Sequence, residues 1–190
     1  EGLFKQVSDT KSPQGIIGVF SKPLNLSWED FSKAKPGRNP GRILVLENLQ
    51  DPGNVGTMLR TAYAFNFGGA VLIGKTADPF QPKCLRSGMG AALHLPLFFI
   101  EDSAKALSLF KEHGIRSLGT AMEGLKLSAY PSDRYSDLAL WIGNEGHGLM
   151  PQTLEDVEDL ISIPMPGGAE SLNAGVAAGI IMYKLSEDLS

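Results

Sequence analysis

The sequence predicts an α/β domain built on a mostly parallel sheet flanked by helices. Three observations carry this. Strand-like and helix-like runs alternate along most of the chain, the pattern of βαβ units. The strand-like runs are near-continuously apolar, as parallel strands covered on both faces are. Glycines mixed with Asn, Glu and Ser gather just after several of these runs, where such sheets collect ligands.

Residues 1–41 read as a leading segment. Within it "GIIGVF" (Gly15–Phe20) looks like a short strand and "AKPGRNPGR" (Ala34–Arg42) a mobile, turn-rich loop. The main domain, 42–190, opens with "RILVLEN" (Arg42–Asn48), a buried strand. A helix over Asn54–Phe65 follows, with Val55, Met58, Leu59, Ala62 and Tyr63 spaced i, i+3, i+4, i+7, i+8. "GAVLIG" (Gly69–Gly74) and "HLPLFFI" (His94–Ile100) are strands, and Ser103–Gly114 is a helix closing on glycine. "IRSLGTAM" (Ile115–Met122), "LALWIG" (Leu138–Gly143) and "DLISIP" (Asp159–Pro164) are three more strands, and a last helix runs from about Ser171 to Ser186.

With 190 residues, 43% of them hydrophobic and 20% charged, the chain is one ordinary globular domain. No run approaches the ~20 apolar residues of a membrane span. A net charge of −4 argues against coating nucleic acid through bulk positive charge, while leaving room for a local basic patch. The single cysteine, Cys84, excludes an internal disulfide framework and suits a reducing, cytoplasmic or organellar compartment. The chain starts at Glu1 rather than Met, so it reads as a fragment or processed form.

Four loops at strand ends carry the special residues: "ENLQDPGNVG" (Glu47–Gly56), "GTAMEG" (Gly119–Gly124), "IGNEGHG" (Ile142–Gly148) and "IPMPGGAESLN" (Ile163–Asn173). Any one of them could be a tight turn. Four, each with Asn, Glu or Ser beside glycine, indicate a binding site, because glycine lets backbone groups approach a ligand closely. None is a dinucleotide fingerprint, a P-loop or a nucleophile elbow. Three scattered histidines and one cysteine give no metal-ligand spacing, so no metal is expected.

"LENLQDPGNVGTMLRTAYAFN" (Leu46–Asn66), "LWIGNEGHGL" (Leu140–Leu149) and "IPMPGGAESLNAGVAAGIIMY" (Ile163–Tyr183) resemble, in order, the three signature motifs of the SpoU-type RNA ribose 2′-O-methyltransferases of the SPOUT superfamily. "DPFQPKCLRSGMGAALHLP" (Asp78–Pro96) resembles that family's middle segment. The resemblance covers the chain from Ser12 to its C-terminus. One departure is "SLNAGVA" in place of the commoner "SLNVSVA", which leaves no hydroxyl at residue 175.

The resemblance implies a deep C-terminal trefoil knot, S-adenosylmethionine as cofactor, rRNA or tRNA as substrate, and a homodimer formed through the knot region. It places Thr120, Ala121, Met122, Gly143, Asn144, Ile163, Ser171 and Leu172 at the cofactor, and Arg60, Asn54, Glu145, Ser171 and Asn173 at the catalytic centre. Arg60 would approach the ribose hydroxyl or its neighbouring phosphate. An ordinary arginine stays protonated, so anchoring phosphate and polarising the hydroxyl is the simpler role. Asn54 either caps its helix or positions Arg60 or RNA, and Ser171 and Asn173 pose the same choice at the last helix. Glu145 is either catalytic or an acceptor for backbone N–H groups, the latter favoured. His147 reads as an incidental loop residue, and Glu170 as a partner of the helix dipole. Lys83, Arg86, Arg42 and Arg60, with Arg38, are the candidate phosphate contacts, and Arg116 and Arg134 read equally well as surface residues.

"SDTKSPQGIIGVF" (Ser8–Phe20) resembles the junction after the small N-terminal RNA-binding domain that many members carry, so this chain reads as the catalytic part alone. Two alternatives stand beside the enzyme: a non-catalytic knotted RNA-binding scaffold, and methylation of a base. Cys84 lacks the activating surroundings that attack on a pyrimidine would need.

Overall fold

The computed structural model describes residues 16–23, 25–34, 39–131 and 137–186. Six strands form one parallel sheet: β1 (Asn39–Glu47), β2 (Phe67–Ile73), β3 (Leu97–Ile100), β4 (Arg116–Lys126), β5 (Leu138–Ile142) and β6 (Asp159–Ser162). Their order across the sheet is β3-β2-β1-β5-β4-β6. The chain steps outward from β1 to β3, then crosses over. β5 slots between β1 and β4, and β6 takes the far edge.

Among the described residues, six α-helices cover the two faces: α1 (Trp28–Lys33), α2 (Pro52–Ala64), α3 (Pro82–Ser87), α4 (Ser103–Glu112), α5 (Pro151–Asp156) and α6 (Ala174–Ser186). The alternation of side chains along each strand sorts the core into two layers. Leu44 and Leu46 of β1, Ala70 and Leu72 of β2, and Leu138, Leu140 and Ile142 of β5 pack with Val55, Met58 and Leu59 of α2 and Ile181 and Met182 of α6. The intervening residues Ile43, Val45, Val71, Ile73, Ala139 and Trp141 face Phe31 of α1 and Ala106 and Phe110 of α4. Both faces of β1, β2 and β5 are thus buried, which is why these strands read as unbroken apolar runs. Each large aliphatic side chain so buried contributes roughly 1.5–3 kcal/mol.

The sequence-based expectations need correction in several places. Residues 16–20 form no strand: Ile16, Val19 and Phe20 lie exposed, since a short apolar run without a neighbouring strand has no ladder to join. Gly15, the loop residues 35–38 and Arg134 lie outside the described residues, and Asn39–Gly41 already belong to β1. β3 starts only at Leu97, and α6 only at Ala174. The helices α1, α3 and α5 went unread because six residues are too few to display a period. α1 is held from outside: the Trp28 indole donates to His113 Nε2 at 3.1 Å, and its ring packs on Phe98 and Phe110. α2 begins at Pro52 and is capped by Asp51, whose carboxylate accepts the Gly53 N–H at 2.7 Å. Asn54 is therefore inside the helix and not its cap.

Candidate functional site

A cleft of about 670 Å³ opens beyond the C-terminal ends of β4, β5 and β6, a volume typical of small-ligand sites. β4 supplies one wall by bulging. Thr120 and Leu125 both sit opposite Ile161 of β6, so the four residues between them have no partner and loop outward. Ser162 Oγ donates to the Gly124 carbonyl at 3.0 Å and fixes the end of the bulge. The loop after β5 forms the second wall. There Asn144 and Gly148 exchange two backbone hydrogen bonds at 2.9 Å, with Gly148 at φ +70°. Gly143 lies under this loop so tightly that a Cβ would stand 2.1 Å from the Gly148 carbonyl carbon and 2.2 Å from the Leu149 nitrogen. Ile163, Met165, Ser171 and Leu172 close the cleft against α6.

The end of β1 and the segment following it hold the second wall from beneath. Glu47 is fully buried; its carboxylate accepts the Met150 N–H at 2.8 Å, the Thr153 hydroxyl at 2.6 Å and the Ser103 hydroxyl. The Asn48 carbonyl accepts the Asn144 amide at 2.9 Å. Glu145 accepts the Gln50 and Asp51 N–H groups at 3.3 and 3.1 Å and the Asn54 side-chain amide at 3.2 Å. Asn54 Oδ1 in turn accepts the Asn173 amide at 3.0 Å, while Asn173 Oδ1 receives the Gly175 and Val176 N–H groups and caps α6. A continuous polar chain, Glu145–Asn54–Asn173, therefore ties the β5 loop, α2 and α6 together.

All eight residues expected at the cofactor line this one cleft, as do Glu145 and the unpredicted Glu123. Asn54 and Asn173 join at its margin. Arg60 does not line it: this residue is exposed on α2, two turns beyond Asn54. His147 does line it, with Nδ1 3.2 Å from Asn144 Oδ1. Ser171 precedes α6 without capping it. Lys83 pairs with Asp51 at 2.9 Å, and Arg86 is exposed on α3. Arg42 is buried at the start of β1, the opposite edge of the sheet from the cleft, so the phosphate contact expected of it is withdrawn. Arg116 forms an ion pair with Asp159 that joins β4 to β6. Glu47, absent from the residues the sequence singles out, carries its signal as a carboxylate that closes the apolar run Ile43–Leu46.

Burial works to raise the Glu145 carboxyl, but its own backbone N–H, the Asn54 amide and the Asp51 and Gln50 N–H groups outweigh it and hold it below the ordinary glutamate value. Glu145 is thus ionised at neutral pH and serves as an acceptor that shapes the loop, not as a poised proton donor. Lys83 first, then the Gly53 N–H, lowers the Asp51 carboxyl likewise. The Cys84 thiol is pushed up to about 11, by burial and then by the Asp78 carboxylate, so it carries no thiolate at neutral pH. Iodoacetamide at pH 8 is expected to leave native Cys84 unmodified in mass spectra; rapid labelling under native conditions would contradict this assignment.

Among the described residues no group of three or more His, Cys, Asp or Glu could hold a metal ion, and no helix is long and apolar enough to cross a membrane.

Residues 41–183 match the model of the SpoU rRNA methylase family. The chain is 36% identical, over 186 residues, to the 23S rRNA (guanosine(2553)-2′-O)-methyltransferase RlmP of Bacillus subtilis; the match covers 97% of this chain and 70% of that protein. The fold is similar to solved structures that include the following two. One is the SpoU methyltransferase AviRb from Streptomyces viridochromogenes in complex with the cofactor AdoMet: TM-score 0.74, 28% identity, 83% of this chain and 61% of that one. The other is an AdoMet-bound rRNA methyltransferase from Sinorhizobium meliloti: TM-score 0.75, 28% identity, 84% of this chain and 60% of that one.

Proposed function

The chain belongs to the SpoU rRNA methylase family, and from that premise we infer that it is an S-adenosylmethionine-dependent RNA methyltransferase acting on a ribose 2′-hydroxyl. The observation that carries this reading is the convergence of three strand-end loops, after β4, β5 and β6, on one cleft at the end of the sheet where α/β proteins bind ligands. The cleft suits the cofactor. Its apolar side chains, Ile142, Leu160 and Ile163 among them, match a flat purine, and the bulge at 121–124 leaves peptide groups without ladder partners to bond its polar edge. Thr120, Gly143, Ile163 and Leu172 would hold the adenosine; when bound, the sulfonium supplies the methyl group. RNA, rRNA or tRNA, is the proposed substrate and the cytoplasm the proposed compartment, by analogy with the bacterial enzymes named above.

For this chain the chemical task is to orient a ribose and loosen its hydroxyl proton. We assign that task to Arg60, as a cation anchoring the neighbouring phosphate and polarising the 2′-oxygen. Because Arg60 does not line the cleft of its own chain, the proposal includes a homodimer in which it serves the partner's cleft. Support comes from α6, which is apolar nearly all round and leaves Val176, Ile180 and Tyr183 exposed at i, i+4 and i+7. Such a face calls for cover. We further propose that residues 163–173, passing from the edge strand β6 across the ends of β4 and β5 to α6, complete a trefoil knot.

The test is methyl transfer to RNA with cofactor binding measured alongside. Arg60→Ala is expected to retain cofactor affinity and to lose about 10²- to 10⁴-fold in kcat. Mixing it with Ile163→Glu, blocked in the cleft, should restore about a quarter of the wild-type rate if Arg60 acts across a dimer. Full activity of Arg60→Ala would remove it from the mechanism. Wild-type binding of cofactor without turnover on total RNA would favour the non-catalytic scaffold.

A further inference from the structure

Among the described residues that line the cleft there are two carboxylates, Glu123 and Glu145, and no lysine or arginine. Glu145 already accepts three N–H groups. Glu123 lies on the β4 bulge, and none of the described residues bonds or pairs with its carboxylate. The bulge presents it there: with 121–124 outside the β4–β6 ladder, its side chain is carried to the cleft wall rather than along the sheet. A wall bearing a negative charge that no described residue pairs, with no lysine or arginine among the described residues lining the cleft, favours a ligand of net positive charge.

We propose that Glu123 makes the cleft distinguish the charged methyl donor from its neutral product. This rests on the cofactor reading above. In the transfer the C–S bond breaks with its electron pair remaining on sulfur, a C–O bond forms to the ribose oxygen, and the hydroxyl proton leaves to solvent. The ligand therefore enters with ammonium, sulfonium and carboxylate, one net positive charge, and departs with ammonium and carboxylate alone. The attraction of Glu123 for the first disappears when the second is formed, so the carboxylate favours loading before reaction and release after it. Because Glu123 is exposed, solvent screens the interaction, and its size is that of a surface ion pair.

Calorimetry with S-adenosylmethionine, S-adenosylhomocysteine and sinefungin, whose protonated amine stands where the sulfonium charge would be, tests the proposal. The wild type should favour the two cationic ligands over the neutral one, and added salt should narrow the preference. Glu123→Gln should weaken only the cationic ligands, by about three- to fivefold, and Glu123→Asp should recover part of the loss. An unchanged preference in Glu123→Gln would overturn the proposal. So would equal weakening of all three ligands, which would place Glu123 on a group they share, such as the ribose diol. Failure of the wild type to bind any of the three would instead remove the cofactor reading itself, and this inference with it.

Discussion

Alanine at Gly143 is expected to abolish cofactor binding and to destabilise the fold. The added methyl would stand 2.1 to 2.4 Å from three backbone atoms of Gly148 and Leu149, and a backbone cannot swing aside as a flexible side chain can. Relief requires lifting the loop after β5, which breaks the paired hydrogen bonds between Asn144 and Gly148. Overpacking of this kind costs about 3 kcal/mol, a fall in Tm of roughly 6–12 °C for a chain of this size. Affinity for S-adenosylmethionine should fall more than about 100-fold, since Gly143 and Asn144 line the cleft. Gly146→Ala is the control: its Cβ would meet only Asn144 Oδ1, at 3.7 Å, and near wild-type behaviour is expected. Calorimetric melting and cofactor titration of the two variants decide the matter, and a Gly143→Ala protein that melts and binds like wild type would mean the loop is far more yielding than its geometry indicates.

Removing the Glu47 carboxylate should produce the second large effect, mainly on stability. Glu47→Ala leaves the Met150 N–H and the Ser103 and Thr153 hydroxyls facing a cavity, at a cost of about 3 kcal/mol or more. Glu47→Gln keeps the volume and can leave its carbonyl on the Met150 N–H while its amide donates to the hydroxyls, which can accept, but it loses the charge that strengthens all three bonds, so part of the loss should remain. Cofactor affinity should drop in both, because Met150 follows directly on the cleft-lining residues His147–Leu149. Urea unfolding at unchanged m measures the first effect. Thr153→Val should cost less in the Glu47→Ala background than alone, because the acceptor it serves is already gone. Additive costs, or a Glu47→Ala loss under about 1 kcal/mol, would show that the carboxylate does not organise this junction.

Much of the architecture follows from local pattern. The unbroken apolar runs of β1, β2 and β5 declare strands buried on both faces, and the period of Val55, Met58, Leu59 and Ala62 declares α2. The cleft walls could be located too, because glycine and small polar residues after a strand identify a loop built for close approach. Asp51 followed by Pro52 is a helix-start signal that outranks Asn54 and puts Asn54 inside α2. The bulge of β4 carries a weaker mark. "TAMEG" looks like a strand running out, and only β6, with Ile161 opposite both Thr120 and Leu125, makes it a detour within one longer strand.

By itself, then, the sequence determined the α/β class, the sheet strands and principal helices, and three of the loops that wall the cleft, since backbone period and turn chemistry are local properties. The tertiary structure alone decided what those loops rest upon. Glu47 finds its acceptor role through groups 56, 103 and 106 residues away, and Asn54 meets Asn173 across 119. These partners become neighbours because the sheet order sets β5 beside β1 and returns α6 against α2. No local pattern encodes that order; it comes from burying both faces of the sheet at once.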